Sequence, residues 1–132
     1  MNISPHFKKH ELACKCCGRL PYENGVLSED DYHLKLIAPL EELRNVAGFP
    51  FIISSAYRCP LHNTKVGGSR TSRHMDGTAV DILLYGERAY HLVRLASHLD
   101  WRGIGVSQRS STPTEQRYIH IDRRDTFTVW SY

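Results

Sequence analysis

Two polar stretches far apart in the chain set the strongest condition on its fold. The first is Ser72-Arg73-His74-Met75-Asp76-Gly77-Thr78-Ala79-Val80-Asp81, and the second is Tyr118-Ile119-His120-Ile121-Asp122. A histidine, a carboxylate and a distant second histidine are the kind of set that holds a catalytic zinc and leaves its fourth position to water. If His74, Asp81 and His120 form such a set, the fold must bring both stretches to one point. Taken singly, His74 or Asp81 reads better as part of a surface turn, Met-Asp-Gly-Thr, leading into a strand. Against that stands the slim backbone at Gly77 and Ala79, which lets a loop close tightly.

The 132 residues suffice for one domain with a real core, 1–132, and not for two. A hydrophobic fraction of 41% and a charged fraction of 23% describe a soluble globular chain. No apolar run approaches a membrane span, and the first residues have no apolar stretch of signal-peptide type. A net charge of +3, with scattered basic residues, gives nucleic acid binding little support and is compatible with weak attraction to an anionic wall. A monomer is expected.

Residues 1 to 27 read as an irregular arm that Phe7 and Leu12 could pin to the core, punctuated by Pro21 and Gly25. Ser28 followed by Glu29, Asp30 and Asp31 is a helix start, and Leu36, Leu40, Leu43 and Ala47 recur at helical spacing over 29–47. Pro39 interrupts that pattern and predicts a kink or restart; Gly48 and Pro50 close it. Phe51 to Ser54 reads as a buried strand delivering Ser55-Ala56-Tyr57-Arg58. Carried just past a strand end, the Arg58 guanidinium would bind a substrate carboxylate or a developing oxyanion. Ser72 is expected to support the His74 loop through backbone hydrogen bonds, and no Gly-x-Ser-x-Gly elbow is present. Ala79 to Leu83 is a strand with Ala79, Asp81 and Leu83 on one face. Residues 87 to 99 form an amphipathic helix, 103 to 106 return to the sheet, and 107 to 116 make a polar loop. On the last central strand, Tyr118, His120 and Asp122 share a face.

Cys14, Cys16 and Cys17 crowd one loop, and Cys59 follows Arg58. Read as Cys-x-Cys-Cys, the cluster is unlike a common zinc knuckle, and no second Cys-x-x-Cys pair exists. Free thiols, one disulfide to Cys59 and an atypical metal clip all remain open, with reduced thiols preferred where no leader is seen.

Ser-x-His-x-x-Gly-x-Ala-x-Asp followed by a strand with His-x-Asp resembles the zinc D-Ala-D-Ala carboxypeptidase and L-Ala-D-Glu endopeptidase family, whose members cut peptide bonds in bacterial peptidoglycan. The resemblance takes in Ser55-Ala56-Tyr57-Arg58 and Gly103-Ile104-Gly105, and so covers roughly residues 50 to 125. It implies a hedgehog/DD-peptidase-like α+β fold, a small, mostly antiparallel sheet with helices packed against it. It also implies Zn2+ on His74, Asp81 and His120, and an oxyanion-stabilising arginine at Arg58. Several members place a glutamate three residues before the last histidine ligand, where this chain has Arg117. Asp122 is the best substitute as general base, with a role orienting a ligand or Arg58 as its alternative; Glu115 is the weaker candidate. The implied activity is zinc-dependent hydrolysis of peptidoglycan stem peptides, as carboxypeptidase or endopeptidase. A short chain with no leader or wall-binding module suits a phage- or prophage-encoded enzyme made in the cytoplasm and acting on the wall. The rival readings are a non-catalytic zinc-binding recognition domain of the same fold, and a structural wall- or phage-associated protein with its metal on the cysteines.

Overall fold

Val80 and Ile82 flank Asp81 in the stretch 79–83, and Ile119 and Ile121 alternate with Tyr118, His120 and Asp122 in 118–122, so that one face can bury while the other carries chemistry. In the computed structural model, which describes residues 1–132, these segments lie side by side at the centre of a sheet. The strands are β1 (Asn2–Ser4), β2 (Phe7–Lys8), β3 (Ile53–Ser55), β4 (Ala79–Leu83), β5 (Gly103–Ser107), β6 (Tyr118–Asp122) and β7 (Thr128–Ser131). The first two form a small antiparallel ladder, and the other five form one sheet in the order β3-β4-β6-β5-β7. Every pairing in it is antiparallel except β5 with β7, which run parallel. The architecture is α+β, as expected, with β7 as a strand the sequence reading did not foresee.

The register of the central pair decides the site. Val80 lies opposite Ile121 and Ile82 opposite Ile119, and all four are at most 1% exposed. They share a core with Leu36, Leu40 and Leu43 from one helical segment and Leu92 and Ala96 from another. A period of two then forces Asp81 and His120, also cross-strand partners, onto the other face together.

The helices are α1 (Lys9–Leu12), α2 (Glu29–Tyr32), α3 (Ala38–Ala47), α4 (Pro60–Lys65) and α5 (Gly86–His98). Ser28 caps α2, its Oγ accepting the Asp31 amide at 3.0 Å. The interruption foreseen at Pro39 takes the form of a π-helical stretch, His33–Ile37, between α2 and α3. There the Ala38 N–H reaches back five residues to the His33 carbonyl. Such widening relieves the clash that a proline ring makes with the carbonyl four residues earlier. Gly48 ends α3 in the left-handed conformation (φ 74°).

The N-terminal 27 residues depart from the expected irregular arm. They contain β1, β2, α1 and a 3-10 turn, Pro21–Asn24. Phe7, Leu12 and Leu20 are at most 1% exposed, so the segment is part of the core. Glu41 on α3 clamps its start, accepting from the Ser4 hydroxyl at 2.9 Å and the His6 amide at 2.7 Å.

Candidate metal centre

His74 comes from the loop before β4, Asp81 from the middle of β4 and His120 from the middle of β6. All three are buried, 3–6% exposed. The His74 loop is held by local bonds that the sequence foreshadowed: the Ser72 hydroxyl accepts the His74 amide at 3.2 Å. Gly77 has φ +76°, and a Cβ there would lie 2.7 Å from Pro21, so its small size lets the loop close on the N-terminal segment.

Each imidazole has one nitrogen already committed. His74 Nδ1 lies 2.6 Å from the Ala56 carbonyl, which can only accept, so Nδ1 carries a proton and Nε2 is the nitrogen that can offer a lone pair. His120 Nε2 donates to Asp122 Oδ2 at 2.7 Å, leaving Nδ1 free. The two remaining nitrogens converge on one oxygen: Asp81 Oδ1 is 3.2 Å from His74 Nε2 and 2.9 Å from His120 Nδ1. In neutral rings these two nitrogens would aim lone pairs at a carboxylate oxygen, and the three would repel one another unless positive charge sits among them. A tetrahedral zinc about 2.0–2.1 Å from each donor would separate the donors by about 3.3 Å. The donor chemistry and spacing therefore fit a zinc ion.

The electrostatics show that this point draws positive charge, which a proton on a ring supplies as a metal ion would. Burial alone would raise the Asp81 carboxyl, but the hydrogen bonds and charges of His120 and His74 outweigh it and hold the group well below the usual carboxylate range. Burial would lower His120, yet Asp122 and Asp81 together raise it. Asp122 is likewise driven down, its burial outweighed by His120 and Arg124.

Asp122 does not stand where a general base would. It is 0% exposed. Its Oδ2 takes His120 Nε2 and Arg124 Nη2, both at 2.7 Å, while Oδ1 takes Arg124 Nε at 2.8 Å and the Arg124 amide at 3.1 Å. Its donors fill every free direction and it does not line the cleft, an arrangement that suits the alternative role of orienting His120 better than that of a base. Room for it comes from its two strand partners, Ala79 and Gly103. A Cβ on Gly103 would collide with the Asp122 carboxylate. Glu115 is exposed on the 3-10 turn Thr114–Gln116 and does not line the cleft. Arg117, which stands where a glutamate was sought, ties down the polar loop through the Thr112 and Ser110 carbonyls.

The three donors sit at one side of a cleft of about 460 Å³. Arg58 lines it, with Nε donating to Ser55 Oγ at 3.1 Å, Nη1 to Asn63 Oδ1 at 3.3 Å, and Nη2 3.6 Å from Asp81 Oδ2. The sequence reading missed Asn63, Arg124, Trp130 and Tyr132. Trp130 packs on His120 with ring centroids 5.1 Å apart, and Arg124 lies over the Trp130 ring at 4.7 Å. Gly105 clears space for that indole, since a Cβ there would meet it at 2.7 Å. The available signal was the Thr-Phe-Thr-Val-Trp-Ser-Tyr alternation at 126–132, which places Thr128, Trp130 and Tyr132 on one face. Tyr118, also in the cleft, is pushed above the ordinary phenol range by burial first and then by Tyr132 and Asp81, so it stays a hydrogen-bond donor.

A search of curated proteins found no match. A family model described as Peptidase M15 matches residues 5–122, a span that holds the three donors, Arg58 and Asp122, and stops short of β7. Because that match runs from the N-terminal hairpin to the end of β6, over most of the sequence, the chain belongs to the Peptidase M15 family of zinc peptidases.

Proposed function

We propose that this protein hydrolyses peptide bonds in the stem peptides of bacterial peptidoglycan, as a zinc-dependent carboxypeptidase or endopeptidase. One observation carries the reading. Each histidine has its proton committed to an acceptor behind it, which leaves Nε2 of His74, Nδ1 of His120 and Asp81 Oδ1 converging at the cleft. These three residues would hold zinc. When bound, zinc supplies Lewis acidity that polarises a peptide carbonyl and brings the pKa of water to about 7.

The chain's own groups do the rest. Ser55 and Asn63 fix the Arg58 guanidinium beside Asp81, where it can donate to an oxygen on which negative charge develops. Arg58, Arg73 and Arg124 make the cleft cationic, which suits stem peptides with free carboxylates. Tyr118 offers a protonated phenol to the same space, and Trp130 walls His120 off from water.

A second reading has an observation of its own. Asp81 is the one carboxylate lining the cleft, so proton transfer has no glutamate or free aspartate to serve it. A domain that binds stem peptides without cutting them is the alternative. Defined muropeptides, digested with and without a chelator and analysed by mass, separate the outcomes. Release of single D-amino acids means carboxypeptidase action, splitting of the stem means endopeptidase action, and chelator-sensitive binding without products supports the second reading. Arg58→Lys should keep zinc and lose about 100-fold or more in turnover, since a lysine cannot span Ser55 and Asn63 while facing the cleft.

A further inference from the structure

Three of the four cysteines meet away from the histidine centre. Cys14 and Cys17 lie on the turn after α1, and Cys59 is the cap of α4. Their Sγ atoms all lie within 4.8 Å of one another, and none is in a disulfide. The spacing that counts is Cys14-x-x-Cys17, with Cys16 exposed and outside the group, which corrects the reading of the cluster as Cys-x-Cys-Cys. The turn is closed by the Gly18 amide donating to the Cys14 carbonyl at 2.8 Å and the Cys14 amide to the Arg19 carbonyl at 2.9 Å. Gly18, at φ +70°, turns the chain back.

Donors are aimed at all three sulfurs. The Cys59 amide points at Cys14 Sγ (3.4 Å), the His62 amide at Cys59 Sγ (3.5 Å) and the Asn24 side-chain amide at Cys17 Sγ (3.6 Å). Hydrogen bonds of this kind favour the thiolate, which is the metal-binding form. A zinc about 2.3 Å from each sulfur would hold the sulfurs about 3.8 Å apart, within the spread the fold already imposes.

We propose that Cys14, Cys17 and Cys59 bind a second thiophilic divalent cation, zinc in the first instance, as three thiolates, each thiol losing its proton on binding. The ion joins the N-terminal segment to the corner that carries Arg58, the residue just before Cys59. Further bonds already hold that junction: the Tyr57 amide to the Leu12 carbonyl at 3.2 Å, and the Asn24 side-chain amide to the Tyr57 hydroxyl at 3.0 Å. The proposal does not depend on the peptidase reading.

Native alkylation of the full chain, expressed with zinc and mapped by mass, tests it with an internal control, because Cys16 and Cys17 are adjacent and both exposed. Cys16 should label at once and Cys17 only after a strong chelator is added. Equal labelling of Cys16 and Cys17 without chelator, or a disulfide among the three in freshly purified protein, overturns it. Cobalt loading supplies a second readout. The sulfur-to-cobalt charge-transfer absorption should persist in His74→Ala and be lost or sharply reduced in Cys17→Ser. Its absence from the unmodified chain, or its persistence unchanged in Cys17→Ser, overturns the site even if other cysteine variants fail to fold.

Discussion

Asp122 shows how burial assigns a role at the scale of one residue. A carboxylate two positions from a candidate histidine ligand reads first as base and then as support; the structure encloses it between His120 and Arg124, with no exposed surface. Removing its charge should therefore act through the metal. Asp122→Asn is expected to weaken zinc binding by about 10–100-fold, measured by competition with a chromophoric chelator. Unchanged zinc affinity with a lower turnover would instead restore the base assignment. The face shared by Tyr118, His120 and Asp122 was legible from strand period alone. What lay behind each residue was not, because Arg124 and Gly103 reach Asp122 through the path of the next turn and the next strand.

At the scale of elements, β5 is thinned where it crosses the site. Gly103 pairs with Asp122 and Gly105 with both His120 and Trp130. Gly103→Ala would drive a methyl into a carboxylate that cannot move without breaking its bonds to His120 and Arg124. The expected cost is about 1–3 kcal/mol of stability in urea denaturation, together with weaker zinc binding. The hairpin of β1 and β2 depends on a different contact. Burial would raise the Glu41 carboxyl, but hydrogen bonds from His6 and Ser4 hold it below its ordinary 4.5. A carboxyl depressed on folding stabilises the folded state above its unfolded value and stops doing so as pH falls through its folded one. Glu41→Gln should therefore be less stable than the parent near pH 7, and the gap should narrow as pH drops below 4.5. A gap that does not change with pH would remove Glu41 as the titrating clamp.

Across the whole molecule, three chain segments meet at the histidine centre: the loop before β4, β4 itself and β6. An ion that binds only the folded arrangement stabilises it by mass action, by about 2.7 kcal/mol at a hundredfold excess over its dissociation constant. Chelation should lower the thermal midpoint by several degrees, and excess zinc should restore it. In His74→Ala that response should shrink without vanishing if the cysteine group holds its own ion; a full response in this variant would count against the histidine centre.

The sequence by itself determined the central strands, the amphipathic helices and the candidate donors on and beside them, because periodicity and ligand chemistry are properties of a short stretch of chain. It also marked Pro39 as an interruption, though not the π-helical form of it. Only the tertiary structure decided which nitrogen of each histidine points at Asp81, that Asp122 is enclosed between His120 and Arg124, that β7 walls the cleft, and which cysteines come together. Those outcomes depend on cross-strand register and on contacts between segments distant in sequence, such as the Cys59 amide on Cys14 Sγ, which no local pattern specifies.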